Sequence, residues 1–200
     1  PLTFALQLMP YTDFVINMKK DPHFIKALVS KSTEIGNAFL GALKDAGAEL
    51  AVICEHYLQL LSPKMWQDFS LDFLAKQTAV FEYNVLHTCG NVEKQLTTLA
   101  TQISNIPNLQ FINFSHEVSI SHMAEVYGDS MGLCGNIDHI HLLPSAKTEE
   151  ISSACKSAIT EGLKASAFML GPGCEITIDT PEENVKAFVE SAELYGRYPS

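Results

Sequence analysis

His87 and Cys89 stand two residues apart at the end of an apolar run, and in extended chain that spacing turns an imidazole and a thiol to the same side. Cys174 follows 85 residues later (174 − 89), within Gly171-Pro172-Gly173-Cys174-Glu175. One nitrogen and two sulfur donors with a fourth position open is the pattern of a catalytic zinc site. Structural sites are closed by four ligands, often as paired Cys-x-x-Cys knuckles, which this sequence lacks. Zinc on thiolates binds a substrate thiol and deprotonates it near neutral pH, which suits attack on a methyl group. A His-x-Cys pair also arises by chance, and a strand-end cysteine often only packs, so the three residues alone leave both readings open.

Two other groups carry chemistry. Cys54-Glu55-His56 ends an apolar run, so Glu55 and His56 either line the same pocket and contact substrate or belong to an ordinary polar loop. Asn136 and Asp138 precede His139 and His141, whose His-x-His spacing is a familiar ligand pattern. The expectation is that Asn136 and Asp138 line the mouth of the fold and contact substrate, with both histidines exposed. Cys134, next to a glycine, and Cys155, beside Ala154, read as packing residues. Five cysteines without a staple-like framework favour thiols, metal ligands or catalysis in a reducing, cytoplasmic compartment.

Short apolar runs must position these groups. Six strand candidates (2–8, 49–54, 83–87, 109–114, 130–134 and 167–170) alternate with helix-period segments, the signature of parallel α/β architecture. Asp21-Pro22, Ser62-Pro63, Thr148-Glu149-Glu150 and Thr180-Pro181-Glu182 are helix starts, and Ala46-Gly47 is a helix stop. In such folds the chemistry collects at the carboxyl ends of the strands, where 87–91, 134–138 and 171–175 all fall. Six β/α steps are two short of a closed eight-stranded barrel, so either the sheet is open or two strands lie upstream. The second is expected, because the chain starts at Pro1 directly on an apolar run and reads as a piece of something longer.

Composition limits the partners. Two hundred residues, 46% hydrophobic and 18% charged, suit one globular domain over 1–200. A formal charge of −10 leaves no basic surface for nucleic acid, and no apolar run reaches the roughly 18–20 residues of a membrane span. A small molecule or a protein partner fits better.

Leu86-His87-Thr88-Cys89-Gly90-Asn91, Gly135-Asn136-Ile137-Asp138, Gly171-Pro172-Gly173-Cys174-Glu175-Ile176 and Thr180-Pro181-Glu182-Glu183-Asn184 occur in order across nearly the whole chain. With them the sequence resembles the uroporphyrinogen decarboxylase superfamily, and within it the cobalamin-dependent thiol methyltransferase branch that includes methylcobalamin:coenzyme M methyltransferases. The resemblance implies a (β/α)8 TIM-type barrel, present here as an incomplete barrel of about six β/α units lacking the N-terminal part. It implies zinc on His87, Cys89 and Cys174, methylcobalamin or another corrinoid as methyl donor, free or on a small corrinoid protein, and a small thiol as acceptor. The branch tends to place an acidic ligand where Ser115 stands, so the fourth ligand is left to His116, Glu117 or water. True decarboxylases carry Gly-His-Gly where this chain has Gly171-Pro172-Gly173-Cys174. Porphyrinogen decarboxylation and an inactive partial barrel are the alternatives.

Overall fold

The computed structural model describes residues 1–197, whose contacts divide into two compact units: 1–87 with 94–110, and 88–93 with 111 onward.

The first unit opens on helices α1 (Leu2–Leu6), α2 (Tyr11–Lys20) and α3 (Pro22–Asp45). The expected first strand is therefore a helix. Its buried residues Leu2, Ala5 and Leu6 fall at i, i+3 and i+4, a period of 3.6 that a run this short hides behind its apolar content. Asp21 caps α3 by accepting the Phe24 N–H at 3.0 Å, with Pro22 at the first helical position, and Gly47 takes the positive φ (99°) that follows the helix end. Strand β1 (Leu50–Glu55) alternates exposed and buried residues. Leu50 and Val52 stay exposed on it, as do Phe39 and Leu43 on α3, so the unit keeps an apolar outer face.

Next come α4 (Pro63–Phe69), capped by Ser62 accepting from Met65 N–H at 3.2 Å, and α5 (Leu71–Thr78). Trp66, Phe69 and Leu74 are buried as their spacing requires; Phe73 is half-buried with Lys76 over its ring. Strand β2 (Tyr83–Thr88) is buried along most of its length, as expected of an inner strand. Asn84 on β2 is fully buried, and its Nδ2 donates to the carbonyls of Thr78, Phe81 and Asn108, pinning both flanking turns. Helix α6 (Glu93–Ala100) leads into β3 (Leu109–Asn113).

In the second unit β3 is followed by α7 (Ile120–Tyr127), β4 (Gly132–Ile137), α8 (Leu142–Ser145), α9 (Thr148–Gly162), β5 (Phe168–Pro172) and α10 (Glu182–Tyr195). Helix α9 packs on β4, β5, α7 and α10, burying Ile151, Cys155 and Ile159. β3 and β4 pair parallel with Asn113 opposite Cys134, and β4 pairs parallel with β5, with Ile137 opposite Pro172. The hydrogen-bonded order, β1-β2-β3-β4-β5, follows the chain. Parallel strands in sequence order with helical crossovers define a (β/α)8 TIM-barrel-type fold, incomplete at five strands among the described residues. No helix among the described residues is long and apolar enough to cross a membrane.

Candidate metal centre

Cys89 directly follows β2, and Gly90, with φ of 73°, turns the chain there; Cys174 stands two residues beyond β5. Within the second unit their Sγ atoms lie 3.1 Å apart. That is far beyond the roughly 2.05 Å of a disulfide, and no bridge joins them. Two thiolates each about 2.3 Å from a tetrahedral ion would stand about 3.8 Å apart, so the pair fits zinc by opening less than about 1 Å, within reach of a side-chain rotation.

What holds Cys174 here is partly Asn113 at the end of β3. Its Nδ2 donates to Cys134 O and Pro172 O, both at 3.2 Å, and Thr88 Oγ1 donates to Asn113 O at 3.2 Å. One side chain thus ties the end of β3 to the middle of β4 and the end of β5. Sequence reading passed over it; the signal was an amide closing the strand directly after Phe111 and Ile112.

The first unit supplies His87 near the end of β2, 8% exposed, with its ring centroid 5.3 Å from that of His56. The His56 backbone N–H donates to Thr3 Oγ1 at 2.7 Å. Glu55, its neighbour, is fully enclosed. Its Oε1 accepts from Leu2 N–H and the Ser70 hydroxyl, both at 3.2 Å, so the carboxylate holds α1 and the start of α5 together.

A second constellation occupies the second unit. His116 Nδ1 lies 3.7 Å from Asp138 Oδ1, and the His116 and His139 rings stand 5.9 Å apart at 65°. Burial works to raise the Asp138 carboxyl, but the backbone N–H groups of His141 and Ile140 and the charges of His116 and His141 together hold it below the usual carboxylate range. The same two N–H groups, each 2.9 Å from Oδ1, turn the chain so that His139 tucks in beside His116 while His141 stays outside. The expectation of two exposed histidines therefore holds for His141 and fails for His139, because Asp138 makes a tight side-chain turn that spacing alone does not disclose. Asn136 donates to Ser115 O (3.1 Å) and Val118 O (2.6 Å), fixing the loop that carries His116; Glu117 on that loop is exposed. Gly173 closes the arrangement. A Cβ there would sit 2.9 Å from His116 N, 3.2 Å from Ser115 Cα and 3.3 Å from His139 Nδ1, so no side chain can stand beside Cys174 at this point.

Cys134 and Cys155 are buried, as their apolar and small neighbours imply, and burial raises both thiols, that of Cys155 to about 11. The folded state therefore keeps Cys155 protonated where an unfolded chain ionises it. Its contribution to stability is complete below the ordinary thiol value and is lost as pH rises toward 11, a change on the order of 3 kcal/mol. In native protein at pH 8, iodoacetamide is expected to modify exposed Cys54 while sparing Cys134 and Cys155 until denaturant is added. Peptide mapping of the labelled protein checks this, and prompt native labelling of Cys155 would contradict its burial.

The fold and the site together define a class: a parallel α/β barrel-type protein with thiols brought together at its strand ends. Comparison with known proteins narrows it. The family model described as uroporphyrinogen decarboxylase (URO-D) matches residues 1–195, and the chain belongs to that family. It is 33% identical to a methylcobamide:CoM methyltransferase MtaA of Methanosarcina barkeri over 98% of this chain and 56% of that protein. It is 27% identical to a uroporphyrinogen decarboxylase of Coxiella burnetii over 88% of this chain and 49% of that protein. A solved methyltransferase from Methanosarcina mazei superposes with a TM-score of 0.87 at 26% identity, over 98% of this chain and 57% of that one. The chain thus spans about half the length of the relatives it matches.

Proposed function

We propose that the protein transfers a methyl group from a methylated corrinoid to a small thiol, with a zinc ion held by His87, Cys89 and Cys174. The observation that carries this reading is the meeting of Cys89 and Cys174 Sγ atoms at 3.1 Å from positions 85 residues apart, without a disulfide between them. His87, two residues before Cys89 along the chain, is the nitrogen donor that completes the set. Zinc, when bound, supplies the Lewis acidity that lets a thiol ionise near neutral pH.

The chain's own residues do the holding. Three ligands leave the fourth position to the acceptor thiol; Asn113 keeps the end of β5, and with it Cys174, in register with β3 and β4; Gly173 leaves room for close approach of the 115–116 loop. With a methylated corrinoid as donor, the thiol sulfur would take the methyl carbon, the electron pair of the broken bond would remain with the corrinoid, and the thiol proton would leave to solvent. The Methanosarcina relative acts on a methylcobamide and CoM, which supports a corrinoid donor and a coenzyme M-like acceptor, with a small corrinoid protein as partner. A cytoplasmic setting suits cysteines that are not cross-linked.

Decarboxylation of a porphyrinogen is the second reading, favoured by the decarboxylase relatives. Both are tested on purified protein by zinc content, by methyl transfer from methylcobalamin to coenzyme M, and by turnover of uroporphyrinogen. Stoichiometric zinc with methylated thiol as product is expected. Porphyrinogen turnover without methyl transfer would overturn the reading.

A further inference from the structure

Once the acceptor thiol takes the fourth position on the thiolate-bound zinc, His116, Asp138 and His139 are not needed as ligands there, and they stand together as a separate constellation. A neutral or ionic hydrogen bond between His116 and Asp138 would bring their donor atoms to about 2.7–2.9 Å; they stand at 3.7 Å, beyond hydrogen-bonding range. Nδ1 of His116 is shut off from solvent and makes no hydrogen bond among the described residues, an arrangement that wastes a buried nitrogen unless a ligand meets it. One donor atom from each of the three residues lies within 4.8 Å of the others.

From these distances we infer a second site, for a first-row divalent metal ion, with His116, Asp138 and His139 as its ligands. Ligand bonds to imidazole nitrogen and carboxylate oxygen run to about 2.0–2.2 Å, and at 2.1 Å the His116–Asp138 separation subtends about 120° at the ion, close to the tetrahedral angle. The third donor lies within 4.8 Å of the other two, so bringing it to bonding distance needs a shift of at most about 1.3 Å, which a ring rotation provides. The N–H groups of Ile140 and His141 on Asp138 Oδ1 are the outer-shell support that ligating carboxylates carry, and the side-chain-free Gly173 lets His139 and the backbone of His116 close around the site.

Two nitrogens and one oxygen select a borderline ion such as zinc, cobalt, nickel or ferrous iron over calcium or magnesium. The surroundings favour a cation. His116 and Asp138 also line an open cavity with Ser119, Asn136, Ser157 and Glu161, and among its described lining residues there is no lysine or arginine. This site contains no sulfur, so it is spectroscopically separate from Cys89 and Cys174.

Cobalt(II) titration of the metal-free protein tests the inference. Wild type is expected to take two equivalents, one with a thiolate-to-cobalt charge-transfer band and one showing only visible ligand-field absorption. The Cys89→Ser/Cys174→Ser double variant is expected to keep the second equivalent and lose the band. Adding His116→Ala or Asp138→Asn to it should weaken that remaining cobalt at least about 100-fold, since altered outer-shell partners alone cost about 10–100-fold. A double variant that is folded by circular dichroism yet binds no cobalt overturns the second site, as does retained cobalt that ignores both further substitutions. Should the double variant not fold, wild type decides: a second equivalent without added charge transfer supports the site, and its absence removes it. Loss of the charge-transfer band in wild type with the ligand-field equivalent retained would count against the thiolate centre and leave this one standing.

Discussion

Cys174→Ser is expected to leave a folded protein that loses the equivalent of zinc held by the thiolates and keeps only what His116, Asp138 and His139 bind, with methyl transfer to a thiol reduced at least about 100-fold. The magnitude follows from what is removed. Changes to outer-shell partners alone cost about 10–100-fold in affinity or activity, and here a bond to the ion itself is lost, replaced by a hydroxyl that is a poor ligand for a soft site. The substitution replaces a sulfur by a smaller oxygen at a partly buried position, so stability should shift by less than about 1 kcal/mol. Metal analysis beside thermal melting separates the two effects. Unchanged zinc in the variant would show that Cys174 is not a ligand and would take the proposed chemistry with it. Cys89→Ser should behave alike, because its sulfur lies 3.1 Å from that of Cys174 and the two would share one ion.

The largest loss of stability is expected from Trp66→Ala. The indole is fully buried on α4, and truncating a buried aromatic to alanine costs about 3–5 kcal/mol, from lost transfer energy and from the cavity left behind. For a chain of this size that lowers the melting temperature by about 10 °C or more. A companion variant sharpens the argument. The Trp66 Nε1–H is buried without a hydrogen-bond acceptor among the described residues, so Trp66→Phe removes volume but also an unsatisfied donor. It should therefore cost much less than the alanine variant. A Phe variant as damaged as the Ala variant would mean that the N–H has a partner, a water included, and that its loss matters.

Much of the scaffold was open to reading because its signals are local. Asp21-Pro22 and Ser62-Pro63 cap helices through contacts three residues long, and apolar runs bounded by turns located all five strands to within a few residues. Residues 2–6 went wrong for the same reason: with so few positions, a strand and a helix bury equally apolar residues, and only the identity of the neighbours decides which period is used. Asn113, Gly173 and the inward turn of His139 were not legible, because each acquires its role from a partner on another strand or loop.

The sequence by itself determined the donors: an imidazole and a thiol two apart, and a second thiol in a glycine-proline turn, at the ends of runs that had to be strands. Only the tertiary structure decided which of them meet. Whether Cys89 and Cys174 approach within 3.1 Å depends on the register of parallel strands and on the crossovers between them, which no spacing along the chain encodes. The same holds for His116 with Asp138, from different strand-end loops, whose 3.7 Å separation exists only because the Asn136 amide fixes one loop and two backbone N–H groups fix the other.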